Sequence, residues 1–343
     1  MFSRARLVLA GLLALFITLG AMPAQAYAAV VRTAYIVQTT AAGQDAVLKE
    51  IFGFGEVPLD QLDLVMDGFT VPLTEYEASL LAANPNVLQI QPDQKTILLE
   101  TQTPTPSWGL DRIDQQSKAL DSKYNYPVDG GKGVRVYVVD TGVAANNPDF
   151  EGRMLPGFDT FGENLSGTDC HGHGTHVAGT AAGTKFGVAK AASIVPVRVL
   201  ACSGSGSTSG ILKAMDWILA NHPAGTPGLV SMSLGGPGQT LFNAGIKKVY
   251  DAGILPIVAA GNSNANACNY SPAGTPEAFT VGASDVNDSR ASYSNYGDCV
   301  DIFAPGSSIV SASASNPAGS TSMSGTSMAT PHASGHRGAT HRG

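Results

Sequence analysis

At 343 residues, with 43% hydrophobic and 14% charged residues, the chain carries enough apolar material for one large folded unit plus a small one, which excludes a disordered polymer. Its net charge of −7 excludes the basic face that a nucleic-acid partner requires. The acidity is uneven: residues 27–100 hold ten Asp or Glu against Arg32, Lys49 and Lys95, whereas residues 101–343 hold seventeen against fifteen Lys or Arg.

The chain opens with Arg4 and Arg6, an apolar run over 7–19, Pro23 and the small-x-small triplet Ala24-Gln25-Ala26. This pattern predicts a cleaved export signal over 1–26, and the run is short for a membrane span. The expected mature protein is secreted, extracellular and without a membrane anchor. Residues 34–39 predict a strand, 45–52 a helix and 62–69 a second strand. Thr74 with Glu77 three residues later predicts a capping box opening a helix over 74–84. Short strands are predicted at 87–92 and 96–99. The β-α-β-β-α-β order suggests a ferredoxin-like α+β module, a separate small domain over 27–100. The polar stretch over 100–109, with two prolines, reads as an exposed linker open to proteolysis.

Beyond 110 the pattern changes. Apolar, β-branched runs recur at 134–140, 194–200, 229–234, 254–260 and 278–283, with helical spacing over 210–222 and 241–253. Buried strands alternating with helices predict an α/β fold on a mainly parallel sheet. Sites in such sheets form at the carboxyl ends of strands. Four cysteines, Cys170, Cys202, Cys268 and Cys299, allow three disulfide pairings. Sequential pairing closes two loops of similar length, each stabilising by about 3–4 kcal/mol. A zinc site is the alternative, but no pair has C-x-x-C spacing. Sequons at 164–166 and 269–271 matter only in a glycosylating host.

Three motifs carry chemistry. "VVDTG" ends a predicted buried strand at Asp140, a carboxylate that needs a donor there. "HGHGTHVAGT" over 171–180 opens a small-residue helix with three histidines. "GTSMATPH" places Ser327 at a possible helix start. Singly, these are a turn carboxylate, a metal cluster and a helix cap. Together they supply a nucleophile, a base and an orienting carboxylate, in one of the chain orders known for such triads.

With "SLGG" and "AAGN", these motifs resemble the subtilisin-like serine proteases, and within them the proteinase K branch, particularly its secreted, aqualysin-like bacterial members. The resemblance runs from about 33 to about 332. It implies a subtilisin-like peptidase domain over 101–334, preceded by a segment over 27–100 similar to the family's inhibitory, chaperone-like propeptide. It further implies a monomeric zymogen that cuts itself near 100–103 and then hydrolyses protein substrates. By the same resemblance Ser327 is the nucleophile, His173 the base, Asp140 its orienting carboxylate and His176 a structural residue, while His171 lies outside the motif and is exposed. Asn262 donates to the oxyanion, with the Ser327 N–H as second donor.

Gly204, Ser205 and Gly206 match one family segment that brackets an extended peptide, and Ser233, Leu234 and Gly235 match the other. Ala259, Ala260 and Gly261 floor the first specificity pocket. Small walls without an acidic residue imply aromatic or large aliphatic residues before the cut. The resemblance implies no catalytic metal but structural Ca²⁺, bound by Pro276, Ala278 and Asp301. A second site would use Asp111, Asp114, Gln115 and Asp121, although Lys123 stands where relatives have an oxygen ligand. It also implies the disulfides Cys170–Cys202 and Cys268–Cys299.

From Gly335 the pattern departs from the family. No large apolar residue follows, and Gly335, Gly338 and Gly343 predict that the helix after Ser327 breaks off with nothing to bury. Residues 335–343 are thus expected to be a tail from a shifted frame or an incomplete reading. On that expectation the alternative to an enzyme is a folding-defective remnant that keeps the motifs.

Overall fold

The computed structural model describes residues 31–94, 96, 98–162 and 168–340. The expected export signal and the sequon at 164–166 lie outside the described residues. The chain divides into two units, 1–96 and 97–343.

In the first unit β1 (Thr33–Thr39), α1 (Gln44–Gly53), β2 (Asp60–Gln61), β3 (Gly68–Leu73), α2 (Glu75–Ala82) and β4 (Val87–Pro92) follow the β-α-β-β-α-β order. Their sheet is antiparallel, ordered β2-β3-β1-β4. Alternate residues Tyr35 and Val37 of β1 and Phe69, Val71 and Leu73 of β3 share one core with Val47, Ile51 and Leu81 of the helices. The capping box forms: the Thr74 hydroxyl accepts from the Glu77 N–H, and Glu77 Oε2 accepts from the Thr74 N–H at 2.8 Å. The strand expected at 62–69 is corrected. Residues 62–66 turn, closed by Met66 N–H donating to Leu62 O at 3.0 Å, and the strand begins at Gly68. A Cβ at Gly68 would lie 2.3 Å from Val37 O, so the close approach to β1 needs glycine there.

The second unit starts with β5 (Leu99–Gln102), α3 (Trp108–Ile113) and β6 (Tyr124–Pro127). The strand expected at 96–99 falls partly on residue 97, outside the described residues, and β5 begins at Leu99; of the exposed linker expected at 100–109, Glu100, Thr101, Thr103 and Pro104 are exposed, while the stretch also carries most of β5 and the start of α3. β5 pairs antiparallel with β6, and the Trp108 indole N–H donates to Ser307 O at 3.0 Å. The stretch has partners for its backbone and is tied to the unit at both ends.

There follow β7 (Arg135–Asp140), β8 (Phe158–Asp159), α4 (His173–Ala182), β9 (Ser193–Arg198), α5 (Thr208–Asn221), β10 (Gly228–Met232), β11 (Gly236–Pro237), α6 (Thr240–Asp251), β12 (Leu255–Ala259), β13 (Tyr270–Ser271), β14 (Phe279–Ser284), β15 (Ile302–Pro305), β16 (Ile309–Ala312), β17 (Ser320–Met323) and α7 (Thr326–Thr340). Seven strands form a parallel sheet ordered β15-β14-β12-β10-β7-β9-β8, the expected α/β architecture. Strand alternation divides its side chains between two cores. Val136 and Val138 face the α4 and α7 side with Val177 and Met328, while Tyr137 and Val139 face α5 and α6 with Ile218 and Ile246. Both faces are covered, which is why these strands read as continuous apolar runs. Among the described residues no helix is long and apolar enough to cross a membrane.

The expectation that the helix after Ser327 breaks at Gly335 is also corrected. α7 continues to Thr340 and buries Met328, Ala329, Thr330, His332, Ala333, Ser334, Gly335 and Gly338. It needs no large side chains because it lies in close contact with α4. A Cβ at Gly335 would sit 2.6 Å from Ala181 O and 2.5 Å from Val188 Cβ. Glycine here is a packing residue, and burial outweighs its low helix propensity.

Candidate active site

Asp140 ends β7 at the carboxyl edge of the sheet and is fully buried. Its Oδ1 accepts from the Thr141 N–H at 2.7 Å and lies 2.7 Å from His173 Nδ1. The N-terminus of α4 reaches this position because Gly172, before the helix, takes φ +100° and Gly174 has no side chain; a Cβ at Gly174 would lie 2.1 Å from Gly142 O. Burial disfavours the His173 imidazolium, but the Asp140 charge and hydrogen bond outweigh it and raise the pKa above the ordinary histidine value. His173 therefore carries its proton on Nδ1 toward Asp140 and presents Nε2 as a base.

Sequence reasoning missed the residue that holds this arrangement together. Asp169 Oδ1 accepts from the Thr141 hydroxyl at 2.9 Å and from the N–H groups of His171 and Gly172. Asp169 Oδ2 accepts from the N–H of Thr175 at 2.9 Å and from its hydroxyl at 2.6 Å. One buried carboxylate thus joins the turn after Asp140 to the first turn of α4. Its only trace in the sequence is an acidic residue just before the histidine cluster. His176 is buried with Nε2 against Ile309 O at 2.9 Å, and burial lowers its pKa to about 4, so it stays neutral. His171 is exposed.

Ser327 occupies the first turn of α7. Its hydroxyl donates to Ser233 O at 3.1 Å, and no hydrogen bond joins it to His173 among the described residues. In return the Ser233 hydroxyl donates to Ser327 O at 2.8 Å. That carbonyl is available because Pro331, four residues on, has no N–H to offer it. The Asn262 amide is aimed by Thr326: Asn262 Oδ1 accepts from the Thr326 N–H at 2.8 Å and from its hydroxyl at 3.0 Å. This leaves the Asn262 NH₂ group exposed at the cavity that Ser327 lines. Asn295, also missed, shapes the turn. Its Oδ1 accepts from the N–H groups of Ser263 and Ala265, and its NH₂ donates to Ala260 O at 2.8 Å.

Two adjoining cavities share residues 233–236. The larger, about 590 Å³, lies between His173, residues 203–208 and an apolar floor of Leu200, Ile211 and Phe242. The smaller, about 340 Å³, is walled by Ala259, Ala260 and Gly261 beside Asn262 and Ser327. Among the described residues, neither is lined by Asp, Glu, Lys or Arg. Predicted residues from four strand ends and two helix starts therefore converge on one place. The arrangement offers a hydroxyl, a raised-pKa imidazole on a buried carboxylate, and an amide donor.

The disulfides Cys170–Cys202 and Cys268–Cys299 are both formed. Among the described residues no three His, Cys, Asp or Glu side chains gather as metal ligands. At the first expected calcium site Asp301 Oδ2 accepts from the Thr280 N–H at 2.7 Å, and Asp301 Oδ1 and the Pro276 and Ala278 carbonyls are hard oxygens of the kind that suits Ca²⁺. In the second expected set Asp114 Oδ1 is buried without a hydrogen-bond partner, and most other oxygens are engaged within the protein. Both Asp111 oxygens accept backbone N–H groups, from Asp121 and Ser122. Asp114 Oδ2 is taken by Asn125, the Gln115 side-chain NH₂ donates to Ala119 O, and the Lys123 ammonium lies 3.7 Å from Asp121.

Comparison with known proteins places these features in context. The model of the subtilase family matches residues 131–339. The chain is 46% identical over 268 residues to an extracellular serine proteinase of Thermus sp. (strain Rt41A), covering 78% of this chain and 64% of that protein. It is 44% identical over 278 residues to alkaline serine exoprotease A of Vibrio alginolyticus, covering 80% of this chain and 51% of that one. The crystal structure of a cold adapted subtilisin-like serine proteinase matches with a TM-score of 0.65 and 49% identity, over 68% of this chain and 83% of that chain. The chain thus spans about half to two thirds of the length of these curated relatives.

Proposed function

The chain belongs to the subtilase family, and from that premise we propose that it is a secreted serine endopeptidase acting through Asp140, His173 and Ser327. The observation that carries the reading is the 2.7 Å contact between His173 Nδ1 and a fully buried Asp140 carboxylate, with a serine at a helix start lining the adjoining cavity. Ser327 Oγ attacks the scissile carbonyl as His173 Nε2 takes its proton. His173 then gives that proton to the leaving amine, and water repeats the sequence on the acyl-enzyme. Asp140 holds the tautomer and stabilises the imidazolium. The Asn262 NH₂ and the Ser327 N–H, at the positive end of α7, receive the oxyanion.

The substrate lies as an extended strand between residues 204–206 and 233–235, where glycines admit its backbone. The cavity walled by Ala259, Ala260 and Gly261 takes an aromatic or large aliphatic side chain before the cut. Residues 27–100 act as the protein's own inhibitor until self-cleavage near 100–103. Calcium, held by Pro276, Ala278 and Asp301, would add rigidity and no chemistry. Fluorophosphonate labelling tests the reading: Ser327 is modified in the parent, and the adduct is lost in Ser327→Ala and strongly slowed in His173→Ala. A chain that takes no label and cuts no protein would refute it.

A further inference from the structure

The larger cavity contains one ionisable group that the proposed chemistry does not use. His171 lines it together with His173, their ring centroids 6.3 Å apart and edge to face. The His171 side chain has no hydrogen-bond partner among the described residues and is exposed to the cleft. Its place is nonetheless defined. A Cβ on Gly204 would stand 3.1 Å from His171 Nε2, so the ring lies against a bare backbone at φ +78° on the opposite wall. The two walls are joined covalently, since Cys170 precedes His171 and Cys202 precedes Ser203, and those cysteines form a disulfide.

The electrostatics at this point are one-sided. Among the described residues no Asp, Glu, Lys or Arg lines the cleft, from residues 203–208 or from residues 233–239. Among the described ionisable residues, His173 is the one whose ring meets that of His171, with the buried Asp140 behind it. Below, Asp169 is engaged by backbone N–H groups and two hydroxyls. Arg198 lies behind the disulfide, 3.5 Å from Cys170 Sγ, paired with Asp159 at 3.0 Å. Among the described residues His171 thus meets no competing carboxylate within the cleft.

Side chains of an extended peptide alternate between faces. With the residue before the cut in the pocket of Ala259, Ala260 and Gly261, the next residue upstream turns toward His173 and His171. We propose that His171 is a specificity-determining residue that favours peptides carrying aspartate or glutamate immediately upstream of the residue at the cut. This rests on the peptidase reading above and names a substrate class for that site.

The test uses three peptide amides with phenylalanine at the cut and glutamate, alanine or lysine just upstream. At pH 6 the parent protein should show a kcat/KM about threefold to fivefold higher for glutamate than for alanine, the size of an exposed ion pair, with lysine below alanine. His171→Ala should abolish this preference. Equal rates for glutamate and alanine at pH 6, or a preference that survives His171→Ala, would overturn the proposal. The same peptides bound to Ser327→Ala should give Kd values in the same order. If the parent cuts none of them but Ser327→Ala still favours glutamate, the peptidase reading fails and the role of His171 stands. If nothing is cut and nothing is bound selectively, both fall.

Discussion

Gly335 and Gly338 lie three residues apart on α7, and the two substitutions to alanine separate two accounts of the helix. Helix propensity alone predicts that each alanine stabilises by about 1 kcal/mol. Packing predicts opposite signs. At Gly335 the new Cβ would meet Val188 Cβ at 2.5 Å and Ala181 O at 2.6 Å, so α7 and α4 would have to separate. Overpacking of this kind costs about 1–3 kcal/mol, and more where backbone must move, which leaves Gly335→Ala destabilised by about 1–2 kcal/mol net. At Gly338 the nearest atoms are Leu229 Cδ2 at 3.5 Å and Ala189 Cβ at 3.6 Å, ordinary contact distances. Gly338→Ala should therefore gain up to about 1 kcal/mol. In a Ser327→Ala background, which prevents self-digestion, urea unfolding should show a lower midpoint for Gly335→Ala and an equal or higher one for Gly338→Ala. In thermal unfolding each kcal/mol corresponds to about 2–4 °C for a domain of this size. A higher midpoint for Gly335→Ala would refute the packing account and restore glycine as a simple helix breaker.

Other expectations are more direct. Asn262→Ala should lower kcat by about 10²–10³-fold with little change in KM, the magnitude known for an oxyanion donor in subtilisin. Because Asp140 raises the His173 pKa, the acid limb of kcat/KM should fall above pH 6.5, activity being lost as pH drops through that value; a limb well below 6.5 would contradict the pairing. His176 and His332 are buried with pKa values lowered to about 4. An unfolded histidine binds its proton first, so stability present above pH 6.5 should be lost between there and pH 4, about 3 kcal/mol for each, as read by denaturant midpoints across that range. Asp169→Asn places an NH₂ group against the donors it now accepts from. It should cost about 3 kcal/mol of stability and lower kcat together, and unchanged kinetics would remove Asp169 from the positioning of His173.

The parallel sheet was legible because strands covered on both faces must be continuously apolar, and the runs at 134–140 and 254–260 are. The site was legible because Asp140, His173, Asn262 and Ser327 each sit in a short motif at a strand or helix end. Glycine at 335 was weighed by backbone propensity, yet its position is set by what lies across from it, Ala181 O. The apolar residues at 62–66 looked like a strand but close a turn, because their pattern says nothing about which strand they would pair with. Asp169 and Asn295 escaped notice because their importance lies in several backbone partners that only the fold assembles.

The placement of Ser327 has a consequence for how this molecule fails. Its helix packs against α4 and against β10, β12 and β14, so the amides of 328–335 should exchange with solvent only through whole-unit opening. The wall at 203–206 lies in a loop between β9 and α5 with Ser203, Ser205 and Gly206 exposed, so it can yield locally. On the peptidase reading, tolerated change should therefore collect in substrate preference, while damage to the core should remove active molecules without altering the selectivity of those that remain.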